Sequence, residues 1–117
     1  MSVTPDKFFT AMSHSLRLRA LMLLQKEGEL CVCELTHALN VVQPMISRHL
    51  AQLRELEVVS DRREGLWIYY QIHPDLPDWA RQVIERTADG IAEQAPYSHD
   101  HTALRGMPNR PAVACCA

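Results

Sequence analysis

Two short stretches with helical periodicity, CVCELTHALN at 31–40 and QPMISRHLAQLRELE at 43–57, stand only two residues apart, and the hydrophobic period changes immediately after them. That succession constrains the fold more than any other feature. In the first stretch Val32, Leu35 and Leu39 share a face, and Asn40 is suited to the left-handed turn that ends a helix. In the second, Ile46, Leu50 and Leu53 point one way while Gln43, Ser47, Arg48 and Ala51 point the other. Gln43 is the candidate cap and Pro44 the first helical residue, where a missing N–H costs nothing. VVSDRREGLWIYYQI, 58–72, then reads as two β-rich runs flanking a charged turn that ends in Gly65, a β-hairpin.

The flanks supply more helix. DKFFTAMS places Phe8, Phe9 and Met12 at helical spacing. SHSLRLRALMLLQKEG, 13–28, has Ser13 as N-cap, a stripe of Leu16, Ala20, Leu23 and Leu24, and Gly28 past its end. LPDWARQVIERTADGIAEQ is a last helix offering Trp79, Val83 and Ile84. From Pro96 the periodicity fades. The expectation is one mainly α domain with a small β-hairpin over 1–95, a homodimeric winged helix-turn-helix that binds DNA and dimerises. A flexible tail over 96–117 follows, with a Cys-Cys pair near its end.

In a winged helix-turn-helix the second helix enters the major groove and presents its N-terminal side chains to base edges. Gln43, Ser47 and Arg48 supply an amide, a hydroxyl and a guanidinium at those places. His49, at the margin of that face, fits either packing or DNA contact. Arg62 and Arg63 on the hairpin can reach a phosphate or the minor groove. For Trp67, Tyr69 and Tyr70, packing in the core or an interface is the expected role. The net charge of −2 gives no global attraction to nucleic acid, so contact must come from this local basic face. A single unit makes few phosphate contacts, which favours a dimer on a palindromic double-stranded site. Phe8, Phe9, Trp79 and Val83, with Ile91, are assigned to a two-fold interface, closure of the monomer core being the alternative.

No apolar run approaches the roughly 20 residues that span a bilayer, and the start MSVTPDKFFTAM has no signal-peptide h-region. A cytoplasmic protein with no membrane partner is therefore expected. Its four cysteines should then be reduced and available for metal or redox chemistry. Cys31-Val32-Cys33-Glu34 has capping-box spacing, with Cys31 at the cap and Glu34 three residues on. The helix dipole there is expected to lower a thiol pKa and favour the thiolate that binds soft ions. Residues two apart in a regular helix point nearly opposite ways, so the start must be non-helical, or must unwind, for both thiols to grip one ion.

HSLRLRALMLL, GELCVCELTHAL, QPMISRHLAQLRE and DRREGLWIYYQI, in that order, resemble the ArsR/SmtB family of metal-responsive repressors, in particular its arsenic-sensing branch, over about residues 6–95. The resemblance implies a homodimer that represses an arsenic-resistance operon and leaves operator DNA when As(III) or Sb(III), its inducer, binds. No organic cofactor and no enzymatic activity are implied. Cys31 and Cys33 carry over as ligands. Many members hold a third cysteine where this chain has Thr36, whose hydroxyl is a poor ligand for a thiophilic centre. Cys115 and Cys116 are the candidate substitutes. Three competing readings remain. A zinc or cadmium sensor would use His37 or His99-Asp100-His101. A thiol-redox switch would oxidise the same cysteines, and a thiol-based reductase would use Cys31 or Cys33 as nucleophile.

Overall fold

α2 (Ser15–Glu27) packs against every other helix among the described residues, and its burial says why: five consecutive residues, Ala20 to Leu24, are hidden from solvent. A helix apolar on nearly all sides is stable only when surrounded. In the computed structural model, which describes residues 3–110, it is preceded by α1 (Pro5–Met12) and followed by β1 (Glu29–Cys31), α3 (Val32–Leu39) and α4 (Gln43–Glu55). Then come β2 (Val59–Glu64), β3 (Trp67–Ile72), α5 (Asp78–Ile91) and α6 (Tyr97–Arg105). The expected mainly α fold with a wing is present.

Local chemistry sets most boundaries. His14, and not the expected Ser13, caps α2, its Nδ1 accepting from the Leu16 N–H at 3.1 Å. Ser13 instead closes α1 by donating its hydroxyl to the Thr10 carbonyl at 2.7 Å. Arg17 ties three helices together, donating to the Ala11 carbonyl and to Gln52 of α4. Gly28 leaves α2 at φ 90°, a conformation that a Cβ would strain. Asn40 ends α3 at φ 54°, as its side chain tolerates. α4 begins one residue earlier than expected: Val42 is the extended N-cap, so Gln43 is the first helical residue and Pro44 the second. Its stripe of Ile46, Leu50 and Leu53 is fully buried.

The hairpin pairs Val59 with Ile72 through to Glu64 with Trp67. Gly65, at φ 60°, therefore opens a two-residue turn with Leu66 instead of ending a longer one, and Arg62 and Arg63 lie within β2. A third strand escaped the sequence reading. β1 pairs antiparallel with β3, setting Glu29 opposite Gln71, Leu30 opposite Tyr70 and Cys31 opposite Tyr69, for a sheet order β1-β3-β2. Three residues are too few to show a period of two.

The segment from Pro96 is corrected more substantially. Residues 97–105, expected within a flexible tail, form α6, which packs on α2 and α3. Leu104 is fully buried, and Asp100, also buried, takes a fork from Arg19: Nε to Oδ2 at 2.9 Å and Nη2 to Oδ1 at 2.7 Å. One large apolar residue and one long-range ion pair fix a helix that no stripe announces. Cys115 and Cys116 lie outside the described residues. Among the described residues no helix is long and apolar enough to cross a membrane.

Candidate functional site

Cys31 has two structural roles at once. It is the last residue of β1 and the N-cap of α3, with extended backbone at φ −73° and ψ 151°. That extended residue, followed directly by helix, removes the divergence expected of side chains two apart. Cys31 Sγ and Cys33 Sγ stand 3.0 Å apart without any unwinding. With metal–thiolate bonds of about 2.3 Å, two sulfurs on one centre sit roughly 3.3–3.8 Å apart, so the pair needs to open by less than 1 Å.

The helix start is held by Glu34. Its Oε1 accepts from the Cys31 backbone N–H at 2.8 Å, the capping-box contact expected from the spacing. The carboxylate is completely buried, and its Oε2 accepts from Arg110 Nε at 2.7 Å. Arg110 also approaches Glu27 at 3.6 Å. The expected lowering of the thiol pKa is not found at Cys33. Burial, first, and then the hydrogen bond to Cys31 and the charges of Cys31 and Glu34 push it up to about 12. At neutral pH Cys33 is a thiol, and binding a soft ion must release its proton.

Thr36 donates its hydroxyl to the Val32 carbonyl at 2.8 Å and stays with the helix backbone. Among the described residues no three His, Cys, Asp or Glu side chains come together to hold a metal. His37 is exposed on α3, Asp100 is held by Arg19, and His101 is buried on α6.

The thiol pair opens into a cleft of about 330 Å³ that it shares with Gln43 and Ser47 of α4 and with Leu66 and Trp67 of the wing. Two of the residues expected to read bases thus border the sulfurs. Arg48 is exposed on the outer face of α4. His49 instead packs inward: its ring lies 4.3 Å from that of His14, and its Nδ1 is 3.3 Å from Arg17 Nη1. Burial, with the neighbouring His14 and Arg17, lowers its pKa, and a neutral ring can accept from the guanidinium.

The two wing arginines differ. Arg62 forks onto Glu29 of β1 at 2.8 Å through both nitrogens, reaches Glu64 at 2.7 Å and lies over the Tyr69 ring at 4.5 Å. Those carboxylates raise its pKa and occupy its donors. Arg63, on the opposite face of the strand, is exposed. Sequence reasoning missed Val42 and Met45, exposed apolar groups at the start of α4 suited to thymine methyls. The signal was their place off the buried stripe.

Phe8 does not face outward. It is fully buried within the chain, with the rings of Phe9 and Trp79 set edge-on at 5.4 and 5.3 Å. Phe9 and Trp79 are the exposed members of that group, at 51% and 39%, and Val83 is half-buried.

Comparison with known proteins agrees with this architecture. Residues 14–61 match the family model described as "Bacterial regulatory protein, arsR family". Over 115 residues the chain is 47% identical to the arsenic resistance transcriptional regulator ArsR1 of Pseudomonas putida, covering 97% of this chain and 88% of that protein. It is 44% identical over 81 residues to the arsenical resistance operon repressor of Escherichia coli, 69% of each. Among solved structures, the AntR antimony-specific transcriptional repressor is similar at a TM-score of 0.62 and 27% identity, over 74% of this chain and 75% of that one. The helix-turn-helix with its wing, and likeness across nearly the whole chain, make this protein a member of the arsR family of bacterial transcriptional regulators.

Proposed function

We propose that the chain is a homodimeric repressor of an arsenic-resistance operon, bound to double-stranded operator DNA when metalloid-free and released when As(III) or Sb(III) binds Cys31 and Cys33. One observation carries this reading: two sulfurs 3.0 Å apart share a cleft with Gln43 and Ser47 of the helix placed to read DNA. The names of the relatives, arsenic resistance regulators and an antimony-specific repressor, agree with it.

The connections of Cys31 suggest how binding is transmitted. It pairs with Tyr69 in the sheet, and Tyr69 pairs with Arg62, so β1 is continuous with the wing. Cys33 belongs to α3, which packs on α4. Drawing both sulfurs onto one ion turns the start of α3 against β1, and the two DNA-facing elements hang from those two elements. The required coupling is small, since about 1–3 kcal/mol changes an affinity by roughly 5- to 150-fold.

Operator binding by wild type, Cys31→Ser and Cys33→Ser, titrated with arsenite, antimonite, zinc and peroxide, tests the reading. The variants should hold the operator as wild type does and fail to release it with arsenite or antimonite. Release by zinc or peroxide alone would favour the metal-ion or redox alternatives. Persistent arsenite response in both variants would refute the assignment.

A further inference from the structure

α3 has eight residues, too few to persist by its own hydrogen bonds, since isolated helices shorter than about 12–15 residues are marginal in water. Both of its ends are tied to α6 and the residues that follow it. At the N-terminus, the fully buried Glu34 carboxylate accepts from the Cys31 N–H at 2.8 Å and from Arg110 Nε at 2.7 Å. Glu27, 3.6 Å from Arg110, joins the same cation to the end of α2. At the C-terminus, Arg19 Nη2 donates to the Leu39 carbonyl at 3.4 Å, and that guanidinium is forked onto Asp100 of α6. Glu34 and Asp100 are both buried, so each carboxylate needs its cation. Replacing buried ion pairs by apolar groups is often neutral or stabilising, so pairs of this kind contribute register more than strength.

Resting on the metalloid-sensing reading above, we infer that α6 and Arg110 brace α3 at both ends, and that Arg110 is a positioning residue for metalloid binding, holding Cys31 and Cys33 at the spacing of one shared centre. The 3.0 Å between the sulfurs depends on the abrupt change from extended Cys31 to helical Val32. Val32, Cys33 and Glu34 form the first turn that follows, and a helix end without its cap frays. A frayed turn lets the Cys33 sulfur swing away, and binding must then order it again. Fixing the turn beforehand removes that cost, which is how preorganisation raises affinity. Arg110 acts through the Glu34 carboxylate, its partner at 2.7 Å, and that carboxylate holds the Cys31 N–H. Asp100 does the corresponding work at the other end of α3 through Arg19.

Dibromobimane, which fluoresces once it bridges two thiols, reports the spacing without metalloid. In the full chain carrying Cys115→Ser and Cys116→Ser, so that only the pair reacts, Arg110→Met should be bridged several-fold more slowly than the unaltered Arg110 chain, with unchanged far-UV dichroism. Arg110→Lys, which restores the cation, should recover most of that rate, as a loss of bulk packing alone would not. With the native cysteines, the arsenite concentration that half-releases operator DNA should rise roughly fivefold in Arg110→Met, the lower end of typical coupling between sites. Because Arg110→Met leaves a buried carboxylate without its cation, Asp100→Asn serves as the second variant. It keeps the shape and an acceptor for Arg19, and should also slow bridging. Bridging at the unaltered rate in both variants, or no recovery in Arg110→Lys, would overturn the inference while leaving the metalloid reading intact. Only an arsenite response that survives Cys31→Ser and Cys33→Ser would overturn that reading.

Discussion

At the scale of single residues, side chains of one type separate by the partners they meet. Arg48, Arg62 and Arg63 are equivalent on paper. In the fold all three are exposed, but Arg62 is held by Glu29 and Glu64. Each phosphate contact contributes about 0.9 to the slope of log affinity against log salt. Arg63→Ala is therefore expected to weaken operator binding and lower that slope by about one. Arg48→Ala should cost about 1–3 kcal/mol of operator affinity if it contacts a base edge. Arg62→Ala should leave the slope nearly unchanged and loosen the wing instead. Fluorescence anisotropy at several salt concentrations checks all three, and a full unit of slope lost in Arg62→Ala would contradict the pairing. His49 is set apart from them by its contacts, with Nδ1 at 3.3 Å from Arg17 and its ring against that of His14.

At the scale of elements, α6 is the least expected and has a pH signature. His101 lies on it, buried, with Nδ1 unpartnered among the described residues. Burial is the main cause of its lowered pKa; Lys26 and Arg105 add to the lowering, and Glu27 and Asp100 oppose it. The unfolded chain, with an ordinary histidine near 6.5, takes up the proton first as pH falls. Stability from this group is therefore complete above about pH 6.5 and is lost as pH drops toward the folded-state value. His49, lowered by burial too, acts in the same direction. Thermal unfolding should show Tm falling between pH 7 and 5.5, less steeply in His101→Gln; equal slopes in both would exclude His101 as a source. Legibility varied sharply among elements. α2, α3 and α4 were readable because their stripes, glycine and asparagine stops are local. β1 and α6 were not, because one is three residues long and the other is held by Leu104 and an Arg19–Asp100 pair spanning 81 positions.

At the scale of the whole molecule, the joint between α1 and α5 bears on the proposed dimer. Phe8 completes the core of one chain, leaving Phe9 and Trp79 as an exposed aromatic patch above it. Phe9→Arg is expected to yield folded monomers in sedimentation, with unchanged far-UV dichroism and operator affinity at least tenfold weaker, because a palindromic site is then engaged by one half at a time. A Phe9→Arg variant that still sediments as a dimer would move the interface elsewhere. Trp79 is the less suitable probe, since its ring also packs edge-on against Phe8 in the core.

What the sequence determined by itself was whatever depends on neighbours: apolar stripes, the change of period at the wing, the capping-box spacing at Cys31 and Glu34, and the paired thiols. Tertiary structure alone decided whether those thiols converge, since one extended residue between β1 and α3 sets 3.0 Å in place of divergence. It also decided which wing arginine is ion-paired, and that Arg110 returns to Glu34 across 76 residues. Such contacts depend on where distant segments come to lie, and no local periodicity records that.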